Sequence, residues 1–317
     1  VGYGLWGLGG QWEGGADDAE AVRAIHAAMD AGIDFFDTAP VYGRGHAEEV
    51  LGKALAGRRG KAIVASKCGL VWESPTGPVL RDLSRKSILA EIDRSLARLG
   101  VEYIDLWQVH WPTPGMNLNE TIAALDEVRR SGKVRWLGVS NFSAADTRSA
   151  KELGNIVSWQ GIYNALERDP SWYHDNPLVY RTERDIVGLA EELGIGILPY
   201  SPLMQGLLAG AFDRTKAFGA DDVRALNPHL SGPGSAPYYA AAAAFVAFAG
   251  ELGKPPAELA INWLLRLRPV LSVICGARTA AEALANARAA EWELSDSDAT
   301  ELERRLAPQL ASIDSSA

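Results

Sequence analysis

Eight stretches with the character of short buried strands recur along this 317-residue chain, and each is followed by at least one stretch with helical spacing. No other feature of the sequence restricts the fold as tightly. The strand-like stretches are 3–10, 34–37, 62–67, 104–110, 134–140, 156–160, 195–200 and 271–275. Between them apolar residues repeat at helical intervals, as in Ala21, Ile25, Ala28 and Met29 within 17–31, or Ile88, Ile92, Leu96 and Leu99 within 86–99. Further helices are expected over 46–56, 119–130, just after Ser143, 183–193, 237–252 and 256–267. Strands that alternate with helices in this way form a parallel sheet covered by those helices, and eight such units close into a barrel. The spacing therefore predicts an α/β fold: a single (β/α)8 TIM barrel domain over 1–317, with a long insertion after the seventh strand and a C-terminal helical segment. That last segment starts near Leu294, carries Leu302 and Leu306 at helical spacing, and either packs over the barrel or covers its mouth.

Bulk properties remove several function classes. The formal charge of −9, with no basic run, argues against nucleic acid as a partner. No apolar stretch reaches the ~18 residues of a membrane span, and the alanine-rich tract 240–249 fits a buried helix. The two cysteines, Cys68 and Cys275, are far apart and belong to no CxxC, metal-ligand cluster or disulfide framework. A reducing, cytoplasmic setting is the default. No signal peptide is visible, and the start at Val1 rather than Met, inside the first strand, is compatible with missing native N-terminal residues.

Polar residues then mark one end of the expected barrel. Asp37, Lys67, His110, Ser140, Gln160 and Tyr200 each fall at or just past the C-terminal end of a strand-like stretch. That end carries the active site in such barrels, whereas polar residues kept for stability would scatter over both ends. Residues 34–43 are the most pointed case: Phe35 and Phe36 stand between Asp34 and Asp37, and a turn on Pro40 and Gly43 follows with Tyr42 on it. The first strand runs into glycines, Gly9 and Gly10, which permit close backbone approach or simply a turn.

Taken singly, Asp37 reads as a turn cap, Tyr42 as a surface aromatic, Lys67 as a strand-end cation and His110 as a buried core histidine. A barrel brings all four together from neighbouring strands, and the joint reading is chemical. The set holds no activated Ser or Cys nucleophile and no glycosidase-like carboxylate pair. It offers a phenol beside a cation. A free phenol, with a pKa of ~10, exchanges protons poorly at neutral pH, and a nearby ammonium favours its phenolate. Asp37 would hold Lys67 in place, and His110 would orient a substrate oxygen. This is equipment for giving a proton to a carbonyl oxygen or taking one from an alcohol.

Over essentially its whole length the sequence resembles the aldo-keto reductase superfamily. The carrying segments are 37–43 (DTAPVYG), 65–69 (ASKCG), 103–110 (YIDLWQVH), 132–142 (GKVRWLGVSNF), 200–208 (YSPLMQGLL) and 276–278 (GAR). Within it the chain looks most like the bacterial group related to general stress reductases and potassium-channel β subunits. The resemblance implies hydride transfer between a nicotinamide cofactor and a carbonyl, with Asp37, Tyr42, Lys67 and His110 as the catalytic tetrad and Tyr42 as the general acid. It implies that Ser140, Asn141 and Gln160 hold the carboxamide, that the nicotinamide stacks on Tyr200, and that the loop Ser201, Pro202, Leu203, Met204, Gln205 and Gly206 gives backbone donors to the pyrophosphate. Gly4, Leu5 and Trp6 would flank the cofactor, and Arg224 in the insertion would close over it.

The adenine end would be Gly276, Arg278, Glu282 and Asn286. Arg278 offers a fork for a 2′-phosphate, hence NADP (NADPH). Glu282 departs from the family's usual Gln or Arg and would repel that phosphate or accept a bond from a free ribose hydroxyl, so NAD is also expected to be used. Gly210-Ala211 stands where relatives often have Gly-Lys, which leaves Arg214 or Lys216 to replace one cation. Trp6, Trp72, Trp111 and Tyr163 would wall a hydrophobic mouth suited to aromatic or aliphatic aldehydes. The rival reading, from another class, is a cofactor-binding sensor or accessory subunit with slow turnover. A lyase or hydrolase lacks metal ligands or a nucleophile here. The natural substrate, the direction of reaction and the oligomeric state stay open at this point.

Overall fold

The computed structural model describes residues 1–9, 17–174, 176–220 and 222–314. Gly10, part of the expected glycine-rich loop, lies outside the described residues. Eight parallel strands close into a barrel: β1 (Gly2–Gly4), β2 (Phe35–Asp37), β3 (Ile63–Cys68), β4 (Ile104–Val109), β5 (Val134–Ser140), β6 (Ile156–Ile162), β7 (Gly196–Tyr200) and β8 (Ile274–Gly276). Each strand pairs with the one before and after it in sequence, and β1 closes the ring by pairing with both β2 and β8. The helices are α1 (Asp18–Asp30), α2 (His46–Leu55), α3 (Arg85–Leu99), α4 (Leu118–Arg130), α5 (Ala144–Leu153), α6 (Gly188–Leu193), α7 (Ala236–Glu251), α8 (Pro256–Leu265), α9 (Ala280–Arg288) and α10 (Asp296–Asp314).

Local chemistry starts and stops these helices. Asp17, Ser84, Asn117, Ser143 and Thr279 each accept a hydrogen bond from a first-turn N–H, and Gly100 and Gly194 end α3 and α6 in the left-handed conformation. Strands are buried on both faces, as the unbroken burial of β4 shows. Alternate residues separate the two sides. Phe36, Val64, Trp107, Val139 and Trp159 join the outer core beneath the helices. Phe35, Ala65, Leu106, Leu198 and Ile274 form a second apolar cluster inside the barrel. Above that plug the same inward series continues with Asp37, Lys67, Gln108 and Gln160, so the barrel is apolar below and polar at its C-terminal end. Gly138 on β5 makes room for that layer: a Cβ there would come 2.3 Å from Ser158 Oγ and 3.0 Å from Gln108 Cγ.

Three boundaries differ from the sequence reading. β1 stops at Gly4, and Trp6–Gly9 is a 3₁₀ turn rather than more strand. β6 runs two residues beyond Gln160. The last strand is shifted to Ile274–Gly276, since Leu271 sits 67% exposed at the opposite rim and gives its N–H to Ile197 O. Among the described residues, the insertion after β7 holds only short 3₁₀ turns before α7. α10 packs along α7, its Leu302 and Leu306 buried. Arg305 pairs with Glu251 of α7, and Glu303 accepts from Trp263 of α8 and from Arg168. The helix therefore braces the barrel's flank. Two small antiparallel hairpins, unforeseen from sequence, rise from the loops after β3 (Leu70–Val71 with Leu80–Arg81) and β6 (Trp172–Tyr173 with Asn176–Pro177).

Candidate active site

The strand ends converge. Asp37 ends β2, Lys67 lies one residue from the end of β3, and His110 follows β4. Lys67 Nζ donates to Asp37 Oδ1 at 2.7 Å, to Thr38 O at 2.9 Å and to Tyr42 Oη at 3.4 Å. The Tyr42 ring meets the His110 ring edge-on, centroids 5.7 Å apart. Among the described residues no group takes a hydrogen bond from, or gives one to, the His110 ring.

Burial sets the proton affinities. It pushes the Tyr42 phenol well above its ordinary 10, and the Asp37 carboxylate adds to the effect. The expected downward pull by Lys67 does not win in this site: desolvation of a phenolate outweighs one ammonium at 3.4 Å. Burial also lowers the Lys67 ammonium from 10.5, and the adjacent Asp37 carboxylate acts against that loss of charge. His110 falls well below 6.5 through burial, then through the charges of Lys67 and Arg81, so its imidazole is neutral. A protonated phenol, a cation beside it and a neutral imidazole share one corner.

Ser140 ends β5, and Asn141 follows with φ 62°. Asn141 Nδ2 donates to His110 O and Ser140 Oγ, while its Oδ1 accepts from Tyr180 and Tyr200 at 3.0 and 2.9 Å. Gln160, expected beside the carboxamide, gives its amide N–H to Asp37 Oδ2 at 2.9 Å. Its observed work is to hold the carboxylate that holds Lys67. Tyr200 ends β7 with its ring half-buried, 5.1 Å from the ring of Tyr173. The loop beyond it is wound tightly. Ser201, Met204 and Gln205 all have positive φ, and Gly206 reaches 103°. Such backbone is costly for side-chain-bearing residues and concentrates where a ligand is clamped. Pro202, lacking an N–H, shapes this loop and cannot donate; Leu203 is half-buried in it. Asn164 and Tyr173 brace Ser201, and Asn227 of the insertion donates to Gln205 Oε1 at 2.9 Å.

The remaining expected residues sit farther out. Gly4 ends β1 in register with Asp37, and Leu5, fully buried in the core, donates its N–H to Asp37 O. The Trp6 ring stacks on His174. Trp72 and Trp111 are half-buried under Arg44 and Arg81, which lie 5.8 and 5.5 Å from the respective ring centroids. Tyr163 does not belong to the mouth: it is buried outside the barrel, its hydroxyl donating to Glu183 and its ring edge on Trp263. Gln160 faces inward, so the residue three positions on faces outward. Arg224 forks onto buried Asp222 and lies 4.7 Å from the Phe218 ring centroid, so its charge is already matched. Arg214 and Lys216 line a surface cleft with Phe218 and Ser231. Arg278 gives its backbone N–H to Glu282 Oε2 at 2.7 Å, and its guanidinium stands 3.8 Å from Oε1. Asn286 donates to Gly276 O. A second, more apolar cleft lined by Phe35, Leu106, Trp136 and Leu271 opens at the opposite end of the barrel, away from this chemistry.

The aromatic and histidine residues of the second hairpin, Tyr173 and His174, escaped the sequence reading, as did Tyr180, Asn164 and Glu167. An Asn-Pro pair close behind three consecutive aromatic-ring residues (172–174) was the available signal for a hairpin there.

A model of the aldo/keto reductase family matches residues 1–306. This chain belongs to the aldo/keto reductase family. The chain is 33% identical to the aldo-keto reductase YhdN of Bacillus subtilis (strain 168), over 94% of this chain and 87% of that protein. It is 31% identical to the NADH-specific methylglyoxal reductase of Escherichia coli (strain K12), over 98% and 95% of the two chains. Among solved structures, the glycerol dehydrogenase AKR11B4 of Gluconobacter oxydans superposes with a TM-score of 0.87 at 37% identity, over 98% of this chain and 91% of that one. Aldo/keto reductases are oxidoreductases that act on carbonyls with a nicotinamide cofactor, and this barrel carries the family's architecture throughout. No helix among the described residues is long and apolar enough to cross a membrane.

Proposed function

We propose that this aldo/keto reductase reduces an aldehyde or ketone with Tyr42 as the proton donor. The observation that carries the reading is the contact chain at the barrel mouth: Asp37 holds Lys67 at 2.7 Å, and Lys67 reaches the Tyr42 hydroxyl at 3.4 Å beside a neutral His110. The residues present fit a nicotinamide nucleotide: a strained loop at 201–206, a half-buried aromatic at Tyr200 and a basic fork at Arg278. When bound, that cofactor supplies a hydride to the carbonyl carbon. The chain supplies the rest. His110 and Tyr42 receive the carbonyl oxygen; Tyr42 gives it a proton as negative charge develops; the phenolate left behind is stabilised by Lys67 until water restores its proton. The raised affinity of Tyr42 for its proton keeps the acid loaded at neutral pH, and Lys67 limits how costly its loss is.

In the same reading Ser140, Asn141 and Tyr200 hold the nicotinamide, the 201–206 loop holds the pyrophosphate, with Arg224 exchanging its fork on Asp222 for a phosphate oxygen, and Arg278 with Asn286 holds the adenine ribose. NADPH is preferred through Arg278. Glu282 draws on that guanidinium, so NADH is used measurably, a reading supported by the name of a relative, an NADH-specific methylglyoxal reductase. The names of two relatives, a methylglyoxal reductase and a glycerol dehydrogenase, support small oxygenated carbonyls as the substrate class. The chain acts as one barrel domain on small molecules in the cytoplasm, without nucleic acid or membrane partners.

The test is isotope transfer. NADPH carrying deuterium at C4 is incubated with the enzyme and an aldehyde panel, and the alcohols are read by mass spectrometry. One deuterium on the former carbonyl carbon is expected. Tight NADPH binding with no cofactor consumption across the panel would contradict the reading and favour a sensor.

A further inference from the structure

Arg81 ends the first hairpin and is exposed at the rim of the mouth, against the loop that follows His110. Its guanidinium lies 5.5 Å from the Trp111 ring centroid, donates to Pro112 O at 3.0 Å and donates to Asn176 Oδ1 at 2.9 Å. Those acceptors come from two other loops, so the group is pinned where three loops meet. Its charge is felt at His110 only as the smallest of three influences, after burial and Lys67.

What marks this exposed arginine is its place at the mouth with no counter-charge among the described residues. Arg98, Arg168 and Arg224 face the carboxylates of Glu48, Glu303 and Asp222, whereas Arg81, like the half-buried Arg181, donates only to neutral oxygens. Among the described residues no carboxylate lies within 4.0 Å of Arg81. The acids of the same loop do not serve: Asp82 accepts from the backbone of Ser84, and Glu73 is exposed without pairing. Across the rim Arg44 is alike, donating only to Ser74 O and Gly77 O above Trp72. A guanidinium carries five N–H donors; two of those on Arg81 are engaged, which leaves three. In a chain of net charge −9, a fixed cation with free donors next to the reacting corner has a use beyond joining loops.

We propose that Arg81 is a specificity determinant that binds an anionic group, carboxylate or phosphate, carried by the carbonyl substrate. Both anions match the planar fork. The guanidinium lies over the Trp111 ring, and its two hydrogen bonds to the loops restrict it before the substrate arrives. The mouth then ranks aldehydes by charge, where its tryptophans alone would rank them by hydrocarbon size. This inference rests on the reductase reading.

The experiment compares matched substrates in wild type, Arg81→Gln and Arg81→Lys: 4-carboxybenzaldehyde against 4-methylbenzaldehyde, and glyceraldehyde 3-phosphate against glyceraldehyde. Wild type is expected to favour at least one anionic partner by roughly 10-fold in kcat/KM at low salt, and Arg81→Gln to abolish that preference through KM with kcat and the neutral substrates unchanged. Arg81→Lys restores part of it, and added salt weakens it. Preference for the carboxylate alone, the phosphate alone or both identifies the anion. Equal losses on charged and neutral aldehydes, or no preference in wild type, would overturn the proposal in favour of a loop-joining role. Should no aldehyde be reduced, the reductase reading fails separately. Calorimetric titration of the NADPH-saturated protein with benzoate, phenyl phosphate and benzamide then still decides the anion site: tighter anion binding lost in Arg81→Gln supports it, and equal binding of all three overturns it.

Discussion

The two halves of the candidate site are built differently. The Tyr42 half hangs on barrel strands: Asp37, Lys67, Gln160 and Ser140 are buried residues of β2, β3, β6 and β5. Each is fixed by strand register and by its neighbour, as in the run from Gln160 through Asp37 and Lys67 to Tyr42. The Arg278 half hangs on turns, the insertion and the start of α9. Arg278 and Glu282 are about half-exposed, 3.8 Å apart, and Arg224 belongs to a 3₁₀ turn. Barrel strands fix atoms to the precision that proton transfer demands, while loops can exchange a phosphate for a ribose hydroxyl without disturbing the fold. Chemistry on strands and selection on loops is the division the family fold allows.

That contrast can be broken from the strand side first. Lys67→Met should reduce kcat by about 10³-fold while NADPH affinity is retained, because only the proton step loses its cation. It also leaves Asp37 buried without its ion pair, at a cost to stability of about 3–5 kcal/mol, so thermal melting must accompany the kinetics. Retained turnover would show that the buried pair is structural.

Behind the same strand, Glu91 of α3 accepts the Gly69 N–H and the Ser87 hydroxyl. Burial pushes its carboxyl up from 4.5 to about 7. A folded-state affinity above the unfolded one means that the stabilisation is complete below the unfolded value near 4.5 and is lost as pH rises through about 7. The ceiling is about 3 kcal/mol. Melting wild type and Glu91→Gln between pH 5 and 8 should show a decline in wild type that the variant lacks. Parallel curves would remove Glu91 from the account.

The loop side should answer more gently. Glu282→Gln frees Arg278 and removes a like charge from the 2′-phosphate. KM for NADPH is expected to drop by about 10-fold, roughly 1.4 kcal/mol, with KM for NADH little changed. A matching change for both cofactors would place the adenine ribose elsewhere.

The same division explains what the sequence disclosed. Strand-borne residues were legible because their positions follow from alternation and strand order, and Asp37, Lys67 and His110 could be assigned to one corner from spacing alone. The hairpins were not, since two-residue strands such as Leu70–Val71 leave no periodicity. Tyr163 was misplaced through neglect of face parity. The shift of the Tyr42 proton was misjudged in sign, because a sequence displays the charge of Lys67 but not the depth at which the phenol is buried. The hydrogen bond from Gln160 to Asp37 crosses the barrel between residues 123 positions apart, and only the closed ring brings them together.

The most direct test of the central claim is single-turnover NADPH oxidation by wild type and Tyr42→Phe with a reactive aldehyde, with cofactor affinity measured in parallel by fluorescence. The account predicts that the variant binds NADPH as wild type does yet transfers hydride about 10³-fold more slowly. Turnover by Tyr42→Phe at a rate near that of wild type would contradict it and move the proton donor to another group.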